Sequence, residues 1–296
     1  MAVLTELRDR FPAIDGWLMQ VQGLLDPRRV LLAPEDEMLH LAWWSGDGWK
    51  LSNVVLPPDL CRSGQPLNAD VLGETIADLL LEQGLSPPQV EIELLLPVDS
   101  CQWRLLEGPA AVGLTSGADL RVLQPELGWS LALQDSYLDL IPQSRENLAL
   151  VVGTDRLLLQ AWVSTLEEAD LSLRRVEWLL LAAWRGLCDA QAGADEHLVW
   201  LVEHGGNWRL LLSSHGCPEV DLNLKASEHP ALREEVIELV EAWDPPGSPG
   251  WWVTAGSQWQ GCWAAEHDSL QGPLRSDAEM SLLELALTAS RRDRDA

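Results

Sequence analysis

Phenylalanine and tyrosine are nearly missing from this 296-residue chain, where Phe11 and Tyr137 stand against 16 tryptophans. Lysine is almost as scarce, with only Lys50 and Lys225. Neither lies in a G-x-x-x-x-G-K-[ST] stretch, so a P-loop is excluded, and no G-x-G-x-x-G occurs. The five cysteines, Cys61, Cys101, Cys188, Cys217 and Cys262, are odd in number, widely spaced and never C-x-x-C. That argues against a disulfide framework and a structural zinc site, and for reduced thiols in a cytosolic setting. The six histidines form no H-E-x-x-H or other i, i+4 ligand pair. The strongest apolar run, around Trp178–Trp184, is closed by Glu177 and Arg185, far short of the about 20 residues a membrane helix needs. Glu6, Arg8, Asp9 and Arg10 precede any apolar run, so no signal peptide is expected.

Acid is what the chain has in excess: 46 Asp and Glu against 20 Lys and Arg, a net charge of −26. Such a field repels nucleic-acid backbones and anionic lipid, so neither nucleic acid nor direct membrane insertion is expected. A basic protein or peptide suits it better; the charge also serves solubility. The tryptophans lie mostly in apolar strands and helices and read as core. Trp43 and Trp44 are neighbours on a strand and face opposite sides, so one of them points outward or into a second layer.

Residues 3–25 read as an amphipathic helical segment carrying Leu4, Leu7, Phe11, Ile14 and Leu18, interrupted by Pro12. RRVLLAPEDEMLHLAWW gives a strand, a break at Pro34 and a second strand. SGDG is a turn, and WKLSNVVLP a third strand. Residues 69–83 form a helix stopped by Gly84, and VEIELLLP is a strand with Glu91 and Glu93 on one face. Residues 98–146 read as a small inserted α+β subdomain with QWRLLEG, DLRVLQ and WSLAL as strand candidates. A further lobe is expected over 147–275. It opens with the strand NLALVVG, a helix capped by Thr154 or Asp155, the strand LSLRRVEW and the helix WLLLAAWRGL. Strands at 197–203, 207–214 and 218–224, a helix at 230–243 and the strand WWVTAG follow. A helix at 276–291 and a frayed tail close the chain.

Other constellations read as structure. GLTSG (113–117) has Thr115 where a nucleophile elbow has serine, and reads as a loop. His204 and His215 lie in turns of one hairpin; two solvated turn histidines are expected, with a meeting of the two as the alternative. Glu167, Glu168 and Asp170 form a solvated helix end.

The order of elements resembles the actin-like PilM family of type IV pilus assembly proteins and the related cytoplasmic domain of GspL. Three stretches carry the resemblance: residues 30–109 from VLLAPEDEMLHLAWW to WRLLEGP, NLALVVGTDRLLLQAWVSTLEEADLSLRRVEWLLLAAWRGL, and the hairpin HLVWLVEHGGNWRLLLSSHGCPEVDLNL. The resemblance implies an α/β, two-lobed, ribonuclease H-like fold, with a first-lobe subdomain at 28–97. It also implies a nucleotide cleft gripped by one glycine-bearing hairpin turn from each lobe. The first such turn would be Ala33-Pro34-Glu35-Asp36-Glu37, which has no glycine, loses a donor at Pro34 and sets three acids against phosphate. The second would be Glu203-His204-Gly205-Gly206, which keeps a carboxylate and glycine. The adenosine-side glycines are reduced to Ala255-Gly256-Ser257. The helical subdomain expected between Leu224 and Pro230 is missing, which would open the cleft to water.

These departures imply a cytoplasmic scaffold without cofactor or catalytic residues, peripheral to the inner membrane through its partners. It would bind the cytoplasmic tail of a PilN-like membrane protein. Leu51, Val54, Trp103 and Arg104 are expected to line the groove for that tail. The alternative is an ATP-binding switch or weak ATPase that uses the residual Glu203–Gly206 turn.

Overall fold

The structure, a computed structural model, describes residues 27–35, 38–46, 48–108, 111, 114, 116–123, 131–142, 147–190, 197–225, 228, 230–245, 247, 249–255, 274–275 and 281–295. The expected helix at 3–25 lies outside them, as do Asp36 and Gly256. In chain order the elements are β1 (Arg28–Pro34), β2 (Met38–Trp44), β3 (Trp49–Val55), β4 (Cys61–Arg62), β5 (Gln65–Pro66), α1 (Ala69–Glu82), β6 (Val90–Leu96), β7 (Cys101–Glu107), α2 (Gly117–Leu123), β8 (Ser136–Pro142), β9 (Leu148–Asp155), α3 (Arg156–Glu168) and β10 (Ser172–Trp178). Then come α4 (Leu179–Ala190), β11 (His197–His204), β12 (Asn207–Ser214), β13 (Cys217–Asn223), α5 (Ala231–Trp243), β14 (Gly250–Thr254), β15 (Leu274–Arg275) and α6 (Leu282–Asp295).

The chain divides into two units. The first draws on residues up to Gln102 with 128–137 and 153–178; the second on 103–127, 138–152 and 179 onward. The first holds a sheet of order β10-β6-β1-β2-β3. Its β1–β2 and β2–β3 pairs are antiparallel, and its β1–β6 and β6–β10 pairs parallel. Its central strands β1 and β6 are buried over most of their length, from Val30 to Pro34 and from Ile92 to Leu96, while the last strand β3 is half-buried to exposed. Asn68 caps α1 by accepting from Val71 N at 3.3 Å, and Asp155 caps α3 by accepting from Leu157 N at 2.6 Å. Trp162 on α3 is fully buried and donates from Nε1 to the Gly64 carbonyl at 2.8 Å.

An irregularity in β10 shapes the far edge of this sheet. Its register with β6 slips between Leu173 and Arg175. Consecutive strand residues normally point to opposite faces, but a bulge turns two of them the same way. Arg174 and Arg175 thereby both reach the glutamates of β6: Arg174 Nη1 to Glu91 at 2.9 Å and Arg175 Nη2 to Glu93 at 3.0 Å. Glu93 is 5% exposed, and these partners are what allow its charge to sit there.

The second unit holds a sheet of order β13-β12-β11-β14-β15 with the same sequence of pairings, two antiparallel and then two parallel. The two sheets are one topology used twice, in each case with a helix after the third strand, α1 in one and α5 in the other. Val199, Leu201, Trp208, Leu210 and Trp251 pack against Leu232 and Val236 of α5 in this core. A third sheet of three strands has the order β7-β9-β8.

Three readings of the sequence are corrected. Residues 119–123 of DLRVLQ are helical, not a strand, because Ser116 caps α2: its Oγ accepts from Asp119 N at 3.4 Å and donates to the Asp119 carboxylate at 3.0 Å. The described part of WSLAL is not a strand either, since Leu133–Asp135 make a 3-10 turn that leads into β8, a strand the pattern did not reveal. Finally, residues 153–178 group with the first unit rather than a lobe starting at 147, because β10 pairs with β6.

Candidate functional site

The β1–β2 and β11–β12 turns occupy the same place in the two equivalent sheets, the turn between first and second strands. In the first unit, Glu35 N donates to Met38 O at 2.8 Å and closes the β1–β2 turn. The Glu35 carboxylate lies 3.6 Å from Nε2 of His40 on β2, whose Nδ1 contacts the Asn53 side-chain oxygen at 2.8 Å. A hydrogen bond to the Glu35 carboxylate raises the pKa of His40 above its ordinary value, burial works against it, and Asn53 adds to the rise. The Glu35 carboxylate thus lies beside an imidazole of its own sheet.

In the second unit, His204 pairs with Asn207 across a two-residue hairpin. Gly205 and Gly206 both have positive φ, +59° and +78°, the type I′ geometry that matches strand twist and favours glycine at both positions. Gly206 N donates to Glu203 Oε1 at 3.0 Å. An amide that a phosphate would need is thus engaged by a neighbouring carboxylate, and carboxylate acceptors make strong bonds. Glu203, His204, Gly205 and Gly206 lie in one hairpin turn, and Glu35 lies in the corresponding turn of the first unit.

His204 and His215 do not meet, because they flank opposite ends of the eight-residue β12. His215 instead lies edge-on to the buried His197, with ring centroids 5.6 Å apart. His197 also contacts Trp243 at 5.8 Å. Cys61, Cys101, Cys188 and Cys217 are free thiols. Burial, with Asp189 adding to it, pushes the Cys188 thiol up to about 12, which holds it neutral and removes it as a nucleophile. Among the described residues no group of three or more His, Cys, Asp or Glu is placed to hold a metal ion. No helix among them is long and apolar enough to cross a membrane.

Of the residues expected to hold a partner, Leu51 and Val54 lie on β3, the last strand of the first sheet. Leu51 is 46% exposed, Val54 is half-buried and the neighbouring Val55 is 74% exposed. Trp103 and Arg104 belong to the second unit, where they line a groove of about 270 Å³ with Leu105, Leu150 and Pro218–Asp221. Trp103 is largely buried and Arg104 exposed. Asp221 is held by Arg209 at 2.5 Å, and Glu219 accepts from Trp243 Nε1 at 2.9 Å. The β13 wall of this groove was invisible in the sequence, since it joins residues more than 100 positions apart.

A chain of a PilM–PilN type IV pilus biogenesis complex is similar to this one over 90% of this chain and 98% of its own, with a TM-score of 0.65 and 16% identity. A Bacteroides thetaiotaomicron protein with an actin-like ATPase fold and unknown function matches over 89% and 96%, with a TM-score of 0.58 and 7% identity. The cytoplasmic domain of EpsL, an inner-membrane component of the Vibrio cholerae type II secretion system, matches over 90% and 94%, at 0.49 and 16%. No family model matches the chain, and neither does any curated protein. The fold is actin-like, as the doubled sheet topology requires.

Proposed function

We propose that this protein is a non-catalytic docking scaffold of a type IV pilus platform, or of a related secretion or competence machine, and that it binds the cytoplasmic tail of a PilN-like membrane protein. The observation that carries this reading is the state of the two equivalent turns. Glu35 is tied to His40, and the Gly206 amide is tied to Glu203. An actin-like fold that spends its phosphate positions on its own side chains retains its surfaces for partners. The fold similarity to a chain of the PilM–PilN complex supports the choice of partner. The −26 charge suits a tail that is basic overall and speeds its association. No cofactor is assigned.

Calorimetric titration with a synthetic tail peptide tests this reading. The tail is to be taken from a small protein with one N-terminal membrane segment encoded beside this one. Binding at one to one, unchanged by millimolar Mg-ATP, is the expected result. A rise in melting temperature with Mg-ATP, and tail binding that depends on it, would overturn the reading in favour of a nucleotide switch.

A further inference from the structure

Among the described residues β3 is the terminal strand of its sheet. Its ladder to β2 runs unbroken from Trp49–Trp44 to Val55–Met38. The Asn53 side chain also meets His40, and Trp49 packs edge-on against Trp44. Beyond these, Trp49–Val55 makes no hydrogen bond, ion pair or ring contact among the described residues. Side-chain exposure agrees. Lys50, Leu51, Asn53 and Val55 are all exposed, Leu51 by 46% and Val55 by 74%.

An open edge is a template for pairing, and proteins blunt it with lysine, proline or a bulge. Here those devices sit at the margins or are missing. Lys50 is the only charge in the strand, and Pro57 and Pro58 follow its end. No bulge interrupts its register with β2. Leu51–Val55 between them is neutral, and Leu51, Asn53 and Val55 share one face because alternate side chains point the same way. In a chain with 46 acids, Trp49–Val55 holds none. It is a stretch along which two acidic copies can approach closely.

We infer that β3 is a self-pairing edge: two copies of this chain join their β3 strands antiparallel about a two-fold axis at Asn53, making one continuous sheet. Residues directly opposite share a face, and this register sets Leu51 against Val55 of the second copy, twice over, and Ser52 against Val54. Asn53 meets itself. Its Oδ1 faces His40 Nδ1 at 2.8 Å, which leaves its amide nitrogen to donate to Asn53 of the second copy. The two copies of Lys50 stand about 20 Å apart along the strands, at about 3.3 Å per residue, beyond a screening length of about 8 Å. A closed pair uses both edges and leaves none to propagate. A basic peptide suits this edge less well, because its one charge is Lys50. A single strand edge is small beside a standard interface of about 1,600 Å², so a Kd on the order of 10 µM is expected. Self-pairing is independent of tail docking.

Sedimentation velocity of the full chain from about 1 to about 200 µM should show monomer passing to dimer in about 0.3 M NaCl, and less dimer in about 20 mM NaCl, where the acidic bodies are poorly screened. Val55→Lys, at an exposed site, should weaken the dimer at least about tenfold. Leu51→Lys should weaken it too. The double variant Leu51→Lys/Val55→Glu sets opposite charges across the axis and should regain dimer over Leu51→Lys alone. Under mild oxidation Asn53→Cys should give a disulfide-linked dimer, since directly opposite residues lie within disulfide reach, and Lys50→Cys should not. A chain that stays monomeric to about 200 µM overturns the inference. So does a dimer that tolerates Val55→Lys, or one that Lys50→Cys links as readily as Asn53→Cys. A monomer whose amides at 51–55 gain exchange protection only with the synthetic tail gives the edge to the tail, which overturns self-pairing and keeps the docking reading. A dimer that binds no tail keeps self-pairing and overturns the docking reading.

Discussion

His40 shows how one side chain can join three strands of a sheet. Its ring joins Glu35 at the end of β1 to Asn53 on β3, across three adjacent strands. Its folded pKa is raised above the ordinary 6.5, chiefly by Glu35. A raised value means the folded state holds the proton more tightly than the unfolded chain. The resulting stabilisation is fully present below about pH 6.5 and is lost as the pH climbs through the raised folded value. Thermal melts of the parent chain and His40→Gln should therefore differ more at pH 5.5 than at pH 8.5, with the parent favoured at the lower pH. An equal gap at both values would mean that His40 acts through packing alone. The pair is partly exposed, so the gap is small, on the order of the about 0.2–1 kcal/mol of an exposed ion pair.

At the scale of elements, the contact of α4 with α6 is the most demanding. A Cβ added at Gly186 would lie 1.8 Å from the Leu285 carbonyl oxygen, a backbone atom that cannot swing aside. Glycine to alanine inside an exposed helix gains about 1 kcal/mol. Here overpacking wins, and Gly186→Ala should cost about 1–3 kcal/mol. Urea unfolding with a lowered midpoint at unchanged slope would show it; an unchanged midpoint would mean that the helices separate at little cost. The cap of α3 was legible in the sequence because a cap is a contact over two or three residues, here Asp155 with Leu157 and Leu158; the caps of α1 by Asn68 and α6 by Ser281 were not read. The Gly205-Gly206 turn was legible too, since its geometry is local. β8 was not, because Asp139 and Ser136 interrupt an apolar pattern whose partner, β9, comes later in the chain. α2 was misread because Leu120 and Val122 alternate with polar residues as in a strand, and the helical signal sits outside them at Ser116. The paired arginines of β10 suggested no site, and the bulge that turns both toward Glu91 and Glu93 had no signal in the sequence. The candidate groove needed residues 103–105 and 218–221 side by side, and no local pattern encodes that.

For the whole molecule, the decisive quantity is the charge of −26. Compaction brings 46 carboxylates together with too few cations to neutralise them, so self-repulsion weighs on the folded state. Salt acts on two opposing terms. It screens this repulsion, which stabilises, and it screens surface ion pairs, which destabilises. Exposed pairs are worth about 0–1 kcal/mol each, and the Glu93 pair is too buried to be screened much. At a net charge of −26 the acids cannot all find a cation, so repulsion is expected to dominate. Raising NaCl from about 20 mM to about 300 mM, across which the screening length falls below about 10 Å, should raise the melting temperature. A melting temperature that falls instead would place the balance with the ion pairs. Over the same range the association rate of a basic tail should drop, since its attraction is the same field seen from outside. Stability and capture thus move in opposite directions with ionic strength, as they must when one acidic surface governs both.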